Sequence, residues 1–287
     1  MLRVLYFVPS GVANRSHMDS VYGMKQAAKM FPWIEVSVFE KDAHSFKLDT
    51  EVLSAIAMQV DALITIGKSE KEYLPYYQKL IDEGILLVLI DSDLPQVERS
   101  IYVGPDNEAL GEQAAEFLLD TFPGENLRAC VLSPRNTTAG LMERFQGFEN
   151  IASQSDQLEI IDQELNLGIR NVIISAKLEE MMEKSPEINT ILCLDATTTV
   201  SALNLLIERG LIGKVHLVGF DCDSDIAEAI ENGEIDAVFA QKESDNVGYL
   251  SIQLLAEYSP DSEPLVQYIT YDLLTKETIG ELWREEE

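Results

Sequence analysis

Basic residues are scarce in this chain. In 287 residues, 21 Lys+Arg stand against 50 Asp+Glu, a formal charge of −29 with a pI near 4.3. Phosphate backbones are bound by Lys/Arg neutralisation and counterion release, so no nucleic-acid surface is expected. There are three cysteines, Cys130, Cys193 and Cys222, an odd and widely spaced set without a CxxC pair. Neither a disulfide scaffold nor a zinc site fits that spacing, and buried small apolar roles are expected. Only three histidines occur; His17 near Asp19, with His44 apart, offers no HxxE or HExxH spacing, so no metal is expected.

Long apolar runs are also missing. The longest aliphatic stretch, Ile85 to Ile90, lies between Gly84 and Asp91 and is far too short to span a bilayer. The N-terminal Met1 to Pro9 lacks an apolar core region and a small-residue cleavage site, and reads as a first strand. Glycine-rich phosphate cradles are absent: no GxGxxG follows the first strand, and Ile66-Gly67-Lys68-Ser69 lacks the earlier glycine of a P-loop. No cofactor is called for. Ser10-Gly11 has no GxSxG elbow around it, so a loop is expected there and not a nucleophile. Asn136-Thr137-Thr138 fits a glycosylation acceptor and fits equally a loop entering a helix.

What is present is a globular composition, 46% hydrophobic and 25% charged. The length suggests about two domains of roughly 150 residues. Short apolar runs alternate with amphipathic segments almost from end to end, the pattern of parallel α/β units. Strands are predicted at Arg3 to Val8, Ile34 to Phe39, Ala62 to Ile66, Ile85 to Ile90, Leu127 to Leu132, Leu158 to Ile161, Thr190 to Leu194, Val215 to Gly219 and Asp236 to Ala240. Helices are expected between them. One is predicted over Ser69 to Glu83, opened by a Ser69/Glu72 capping box and stopped by Gly84.

The two halves echo one another. The strand Ala62 to Ile66 leads to a helix ending Leu80-Ile81-Asp82-Glu83-Gly84, then a strand stopping at Asp91-Ser92-Asp93. The strand Thr190 to Leu194 leads to a helix ending Leu206-Ile207-Glu208-Arg209-Gly210, then a strand stopping at Phe220-Asp221-Cys222-Asp223. Each half thus carries a carboxylate at the C-terminal end of a central strand, where open α/β sheets bind ligands. A cleft between two lobes is expected.

These residues carry a resemblance. Val60 to Ile64, Gly84 to Asp91, Asp106-Asn107 with Gly111, Glu143-Arg144-Phe145-Gln146-Gly147-Phe148, and Val218 to Asp221 ending in Ala240-Gln241 resemble, in order and spacing, the type I periplasmic sugar-binding proteins. The effector domains of lac-repressor-like regulators share the pattern. The resemblance implies two Rossmann-like lobes joined by three crossings near Asp106, Gln241 and Tyr268: 1–105 plus 242–267, and 106–241 plus 268–287. It implies a small polar ligand held between lobes that close like a hinge, so that occupancy shifts an open–closed equilibrium a partner can read.

Carried over residue by residue, Asp91 matches the family's cleft carboxylate, Asp221 its counterpart, Gln241 the hinge-adjacent amide, Asp195 an Asn or Asp position, and Asn14 the polar first-loop residue. Carboxylates and amides suit adjacent hydroxyls; helix capping is the competing role, strongest for Asp195 before Thr197-Thr198-Thr199. Three positions depart. Ser92 stands where sugar binders place an Arg, Met142 where they place a second, and Ser16-His17 replace the stacking aromatic pair. Tyr22, Trp33, Arg15 or Arg170 are candidates to compensate, while Arg144 is expected to be structural, at the start of a helix running to Phe148. The loss of two guanidinium groups predicts a cationic or donor-rich ligand.

The implied function is solute capture, most simply of a sugar, for ABC-type uptake. The partners are then the ligand and a membrane permease, the compartment extracytoplasmic, with a leader or anchor absent from this sequence. The alternative is the sensing domain of a transcriptional regulator or kinase, cytoplasmic in the first case, although no helix-turn-helix precedes the first strand. The C-terminal Thr275 to Ile279 is read as a helix running into an acidic end. An acid/base enzyme using clustered carboxylates is the rival from another class; no catalytic residue is assigned.

Overall fold

The computed structural model describes residues 1–10, 15–42, 48–69, 71–134, 138–242, 246–259 and 261–283, with the backbone only at 8–10, 15–17 and 40–42. The elements run β1 (Leu2–Ser10), α1 (Arg15–Met30), β2 (Ile34–Asp42), α2 (Leu48–Met58), β3 (Ala62–Ile66), α3 (Leu74–Asp82), β4 (Leu86–Ile90) and β5 (Ile101–Gly104). They continue α4 (Asn107–Thr121), β6 (Leu127–Leu132), α5 (Ala139–Ala152), β7 (Leu158–Glu164), α6 (Asn171–Lys184), β8 (Thr190–Cys193), α7 (Ala196–Arg209), β9 (His216–Phe220), α8 (Ser224–Asn232) and β10 (Ala237–Gln241). The last are α9 (Val247–Glu257), β11 (Leu265–Tyr268), β12 (Tyr271–Leu274) and α10 (Ile279–Leu282). The chain divides into two compact units, the first of 1–105, 137–139 and 242–270, the second of 106–136, 140–241 and 271–287.

The first unit is built on a six-stranded sheet in the order β11-β5-β4-β3-β1-β2, every neighbouring pair parallel. Its central strands β3, β4 and β5 are buried on both faces, which explains their near-continuous apolar runs. Leu5, Leu63, Leu87 and Leu89 pack with Leu48, Val52 and Ala55 of α2 and Tyr77 and Leu80 of α3. Helices α1 and α9 pack together so closely that a Cβ on Gly248 would lie 1.9 Å from the Ser20 carbonyl oxygen.

The second unit repeats the plan in the order β12-β10-β9-β8-β6-β7. Its edge strand β12 runs antiparallel to β10, whereas β11 runs parallel to β5. Alternate residues of its strands serve two cores. Cys130, Leu132, Ile191, Cys193, Leu217 and Val238 meet Ile174, Leu178 and Met181 of α6 and residues of α7 and α8. Ala129, Val131, Leu192, Leu194, Val218, Phe220 and Phe239 meet Leu110, Ala114 and Leu118 of α4 and Phe145 and Phe148 of α5. Burying each such large side chain contributes about 1.5–3 kcal/mol before entropy is counted.

The nine predicted strands all form. Three four-residue strands, β5, β11 and β12, carry too short a pattern to announce themselves; in β11 three of four residues are exposed. The helix predicted from Ser69 begins instead at Leu74, with Tyr73 at its N-cap and Pro75 in its first turn, where a missing N–H is harmless. Ser69 and Glu72 therefore form no capping box. The predicted stop holds: Gly84 takes φ +75 and donates to the Ile81 carbonyl at 2.8 Å. Arg144 sits inside α5 rather than at a helix start, and Thr275 to Thr278 form a turn ahead of the short α10. Cys130 and Cys193 are fully buried, while Cys222 is half-buried. Among the described residues, no helix is long and apolar enough to cross a membrane.

Candidate functional site

In the first unit, β4 ends at Ile90 and the next residue, Asp91, takes the left-handed backbone conformation with φ +60. Asp is among the few residues that tolerate it, because its short side chain hydrogen-bonds locally. The Asp91 N–H donates to the Val103 carbonyl of β5 at 3.2 Å, and the Ser92 N–H donates to Ile90 at 2.6 Å, closing a tight turn at the strand tip. Gly67, just past β3, approaches so closely that a Cβ there would lie 2.3 Å from the Ser92 carbonyl oxygen. Ser92 is buried; Asp91 is half-buried.

The second acid of this triplet is consumed structurally. Asp93 is paired in bidentate fashion with Arg99, both side chains being nearly buried, and also accepts from the Leu94 N–H at 2.7 Å. The Asp93 hydrogen bond holds Arg99 charged, against the desolvation that opposes it. Arg99 is thereby neutralised and is no stand-in for the guanidinium missing at Ser92. Deeper in the sheet, Tyr6 is buried on β1 with no hydrogen-bond partner for its hydroxyl among the described residues. Burial, then the charges of Asp91 and Glu51, raise its pKa far above the phenol range.

The second unit makes the same tip. After β9, Asp221 has φ +64 and its N–H donates to the Phe239 carbonyl of β10 at 2.8 Å. Here too the following acid is structural: Asp223 is the N-cap of α8, accepting from the Ile226 N–H at 2.9 Å. Asp195 caps α7, its Oδ1 accepting from the Thr198 N–H at 2.9 Å and the Thr198 hydroxyl at 2.6 Å. Gln241 is the last residue of β10, in register with Tyr271. Because β8, β9 and β10 are neighbours, Asp195, Asp221 and Gln241 stand together along one edge of this sheet. Met142 is half-buried on α5, two residues before Arg144.

Two similarly ordered sheets, each ending a central strand in a left-handed Asp, are the frame into which the comparisons with known proteins fall. The family described as periplasmic binding protein domain matches residues 5–260. The chain belongs to that family. A D-ribose/D-allose-binding protein of Pseudomonas aeruginosa is 26% identical over 259 residues, covering 84% of this chain and 79% of that one. The ABC transporter periplasmic-binding protein YphF of Escherichia coli is 23% identical over 283 residues, covering 91% and 82%. Among solved structures, GanP, a glucose-galactose binding protein from Geobacillus stearothermophilus, superposes with a TM-score of 0.86 at 24% identity, covering 96% of this chain and 98% of that one.

The remaining expected residues are placed one by one. Asn14 and His44 lie outside the described residues, and only the backbone is described at Arg15 and His17, on α1. Tyr22 is exposed on α1. Trp33 packs edge-on against Phe31, its carbonyl accepting from the Leu2 N–H. That places it at the opposite end of the first sheet from Asp91, so it cannot serve that tip. Arg170 is the N-cap residue of α6 and makes no side-chain capping bond. Cys130, its pKa pushed up to about 12 by burial, and Cys193, raised well above the thiol range by the same cause, are inert thiols.

Proposed function

We propose that the chain is a solute-binding protein that captures a sugar or sugar derivative outside the cytoplasm and hands it to an ABC-type membrane permease. The observation that carries this reading is the repeated strand tip, with Asp91 and Asp221 each set in the same left-handed turn at the end of a central strand. The sugar-binding names of the related proteins support it. The ligand set is Asn14, His17, Asp91 and Ser92 with Met142, Asp195, Asp221 and Gln241, drawn from lobes 1–105 plus 242–267 and 106–241 plus 268–287. Each carboxylate accepts from a ligand hydroxyl, and in a desolvated site every such bond must be made. With Ser92 and Met142 in place of two guanidinium groups, the acids favour a donor-rich ligand over an acidic one. No chemistry is performed on the ligand in this reading, so recovery of unaltered ligand is the expected outcome of prolonged incubation.

Calorimetric titration with D-ribose, D-allose, D-glucose, D-galactose, D-glucosamine and D-glucuronate tests this. At least one neutral or amino sugar is expected to bind and D-glucuronate is not; binding by none of them overturns the reading, and tight D-glucuronate binding overturns its electrostatic part. Asp221→Asn should keep the fold and weaken the tightest-binding sugar about ten- to hundredfold, the worth of a hydrogen bond to a charged group. Unchanged affinity in that variant removes Asp221 from the site.

A further inference from the structure

Arg144 is the anomaly of the second unit. It is only 7% exposed, yet among the described residues it has no carboxylate partner. An isolated buried cation is expensive and persists only where its donors and its flat face are used. Both are used here, and by a particular set of residues. Its Nε donates to Asn107 Oδ1 at 2.7 Å, and one terminal nitrogen donates to the Leu194 carbonyl at 3.1 Å. The guanidinium lies over the Phe220 ring at 4.6 Å and near the Tyr271 ring at 5.9 Å.

Three of these four partners adjoin a candidate ligand residue: Leu194 immediately precedes Asp195, Phe220 immediately precedes Asp221, and Tyr271 pairs in register with Gln241. The fourth, Asn107, begins α4. One planar cation thus contacts the residue immediately before each of the two acids and lies near the β12 residue paired with Gln241, with no hydrogen bond or ion pair to the side chains of Asp195, Asp221 or Gln241. We infer that Arg144 is the positioning residue of the second unit's ligand edge, locking the tips of β8 and β9 to one another, to Tyr271 of β12 beside Gln241, and to the start of α4. Lysine cannot replace it, because a single ammonium neither donates along two fixed directions of a fork nor lies flat on Phe220.

Amide hydrogen exchange of the sugar-free protein tests this directly, because β8 and β9 each supply their own control. In Arg144→Lys, the tip amides of Leu194 and Asp221, together with that of Thr198 in the first turn of α7 where Asp195 caps it, should exchange at least about tenfold faster. The amides of Asn189, His216 and Asp236, which donate at 3.1, 2.8 and 3.0 Å near the opposite ends of β8, β9 and β10, should change by less than about twofold. Equal acceleration at both ends would show a merely structural arginine and overturn the inference, as would unchanged tips. Should Arg144→Lys fail to fold, Asn107→Ala removes the acceptor of the Arg144 Nε bond and leaves the ring contacts. Faster exchange confined to the same tip amides then supports the inference, and equal acceleration at both ends or unchanged tips overturns it.

The ligand arm rests on the sugar-binding reading and the exchange arm does not. Arg144→Lys and Asp221→Asn, alone and together, are titrated with D-ribose, and with D-allose in parallel. If Arg144 acts through the Asp221 tip, the double variant loses less affinity than the product of the two single losses; full multiplicative loss counts against the inference. If neither sugar binds the parent protein, it is the sugar reading that fails, while the exchange result still decides the role of Arg144.

Discussion

His216 opens β9 with its ring between two acids, Nε2 at 3.2 Å from Glu125 Oε2 and Nδ1 at 3.6 Å from Asp236 Oδ1, and packed on Phe122. The adjacent Asp236 carboxylate contributes most to raising its pKa; desolvation opposes this and Glu125 adds to it. Since the folded value lies above the unfolded value of about 6.5, the protonated ring's contribution is complete below that pH and is lost as pH rises through the folded value. Urea unfolding of the parent and His216→Gln across about pH 5.5 to 8.5 should therefore show a stability difference that shrinks as pH rises. A pH-independent difference would contradict the assignment. At this same scale the candidate site was half legible. The two acids after the central strands stand out in the sequence, but nothing in Asp91-Ser92-Asp93 says that Asp93 is spent on Arg99, a residue whose pairing depends on how the loop folds back. Nor does a lone arginine at position 144 reveal two ring faces from Phe220 and Tyr271, far along the chain.

Helix pairing rests on glycines whose role only packing exposes. A Cβ on Gly147 of α5 would lie 2.0 Å from the Glu108 carbonyl oxygen of α4, and one on Gly111 would lie 1.9 Å from that of Arg144. Alanine is favoured over glycine in a helix by about 1 kcal/mol. Separating the two backbones outweighs that gain, so Gly147→Ala should lose about 1–3 kcal/mol net. Gly280→Ala in α10, where a Cβ meets nothing within 4 Å among the described residues, is the control and should be neutral or slightly stabilising. Chemical denaturation of both variants checks this; equal effects would mean that the crossing has room to relax. The strands and helices themselves were readable where apolar runs were long and bounded by glycine, as at Gly84 and Gly210, both in the left-handed conformation. The four-residue strands β5, β11 and β12 and the true start of α3 were not, since propensity is weak over so few residues and Pro75 shifts the first turn.

Over the whole chain, charge is distributed unevenly. Of 50 acidic residues, 31 fall in the second unit against 10 basic ones, and 19 fall in the first against 11. Net charges of −21 and −8 follow, so self-repulsion opposes the folding of the second unit more strongly. Raising salt from about 10 mM to about 150 mM shortens the screening length from about 30 to about 8 Å. The melting temperature should rise with it, and amide exchange should slow more in the second unit than in the first; a flat or falling response would show that paired charges dominate. The repeated plan and its strand-end acids were visible in the sequence because parallel strands buried on both faces write their pattern directly into it.

Composition and periodicity alone determined the α/β class, the duplicated plan and the pair of acids ending the central strands, since those follow from local burial and turn chemistry. The direction of β12, the glycine-lined helix crossings, the loss of Asp93 and Asp223 to structural duties, and the seat of Arg144 were decided by tertiary packing. Each depends on residues distant in sequence meeting at van der Waals or hydrogen-bond range, a constraint no local pattern encodes.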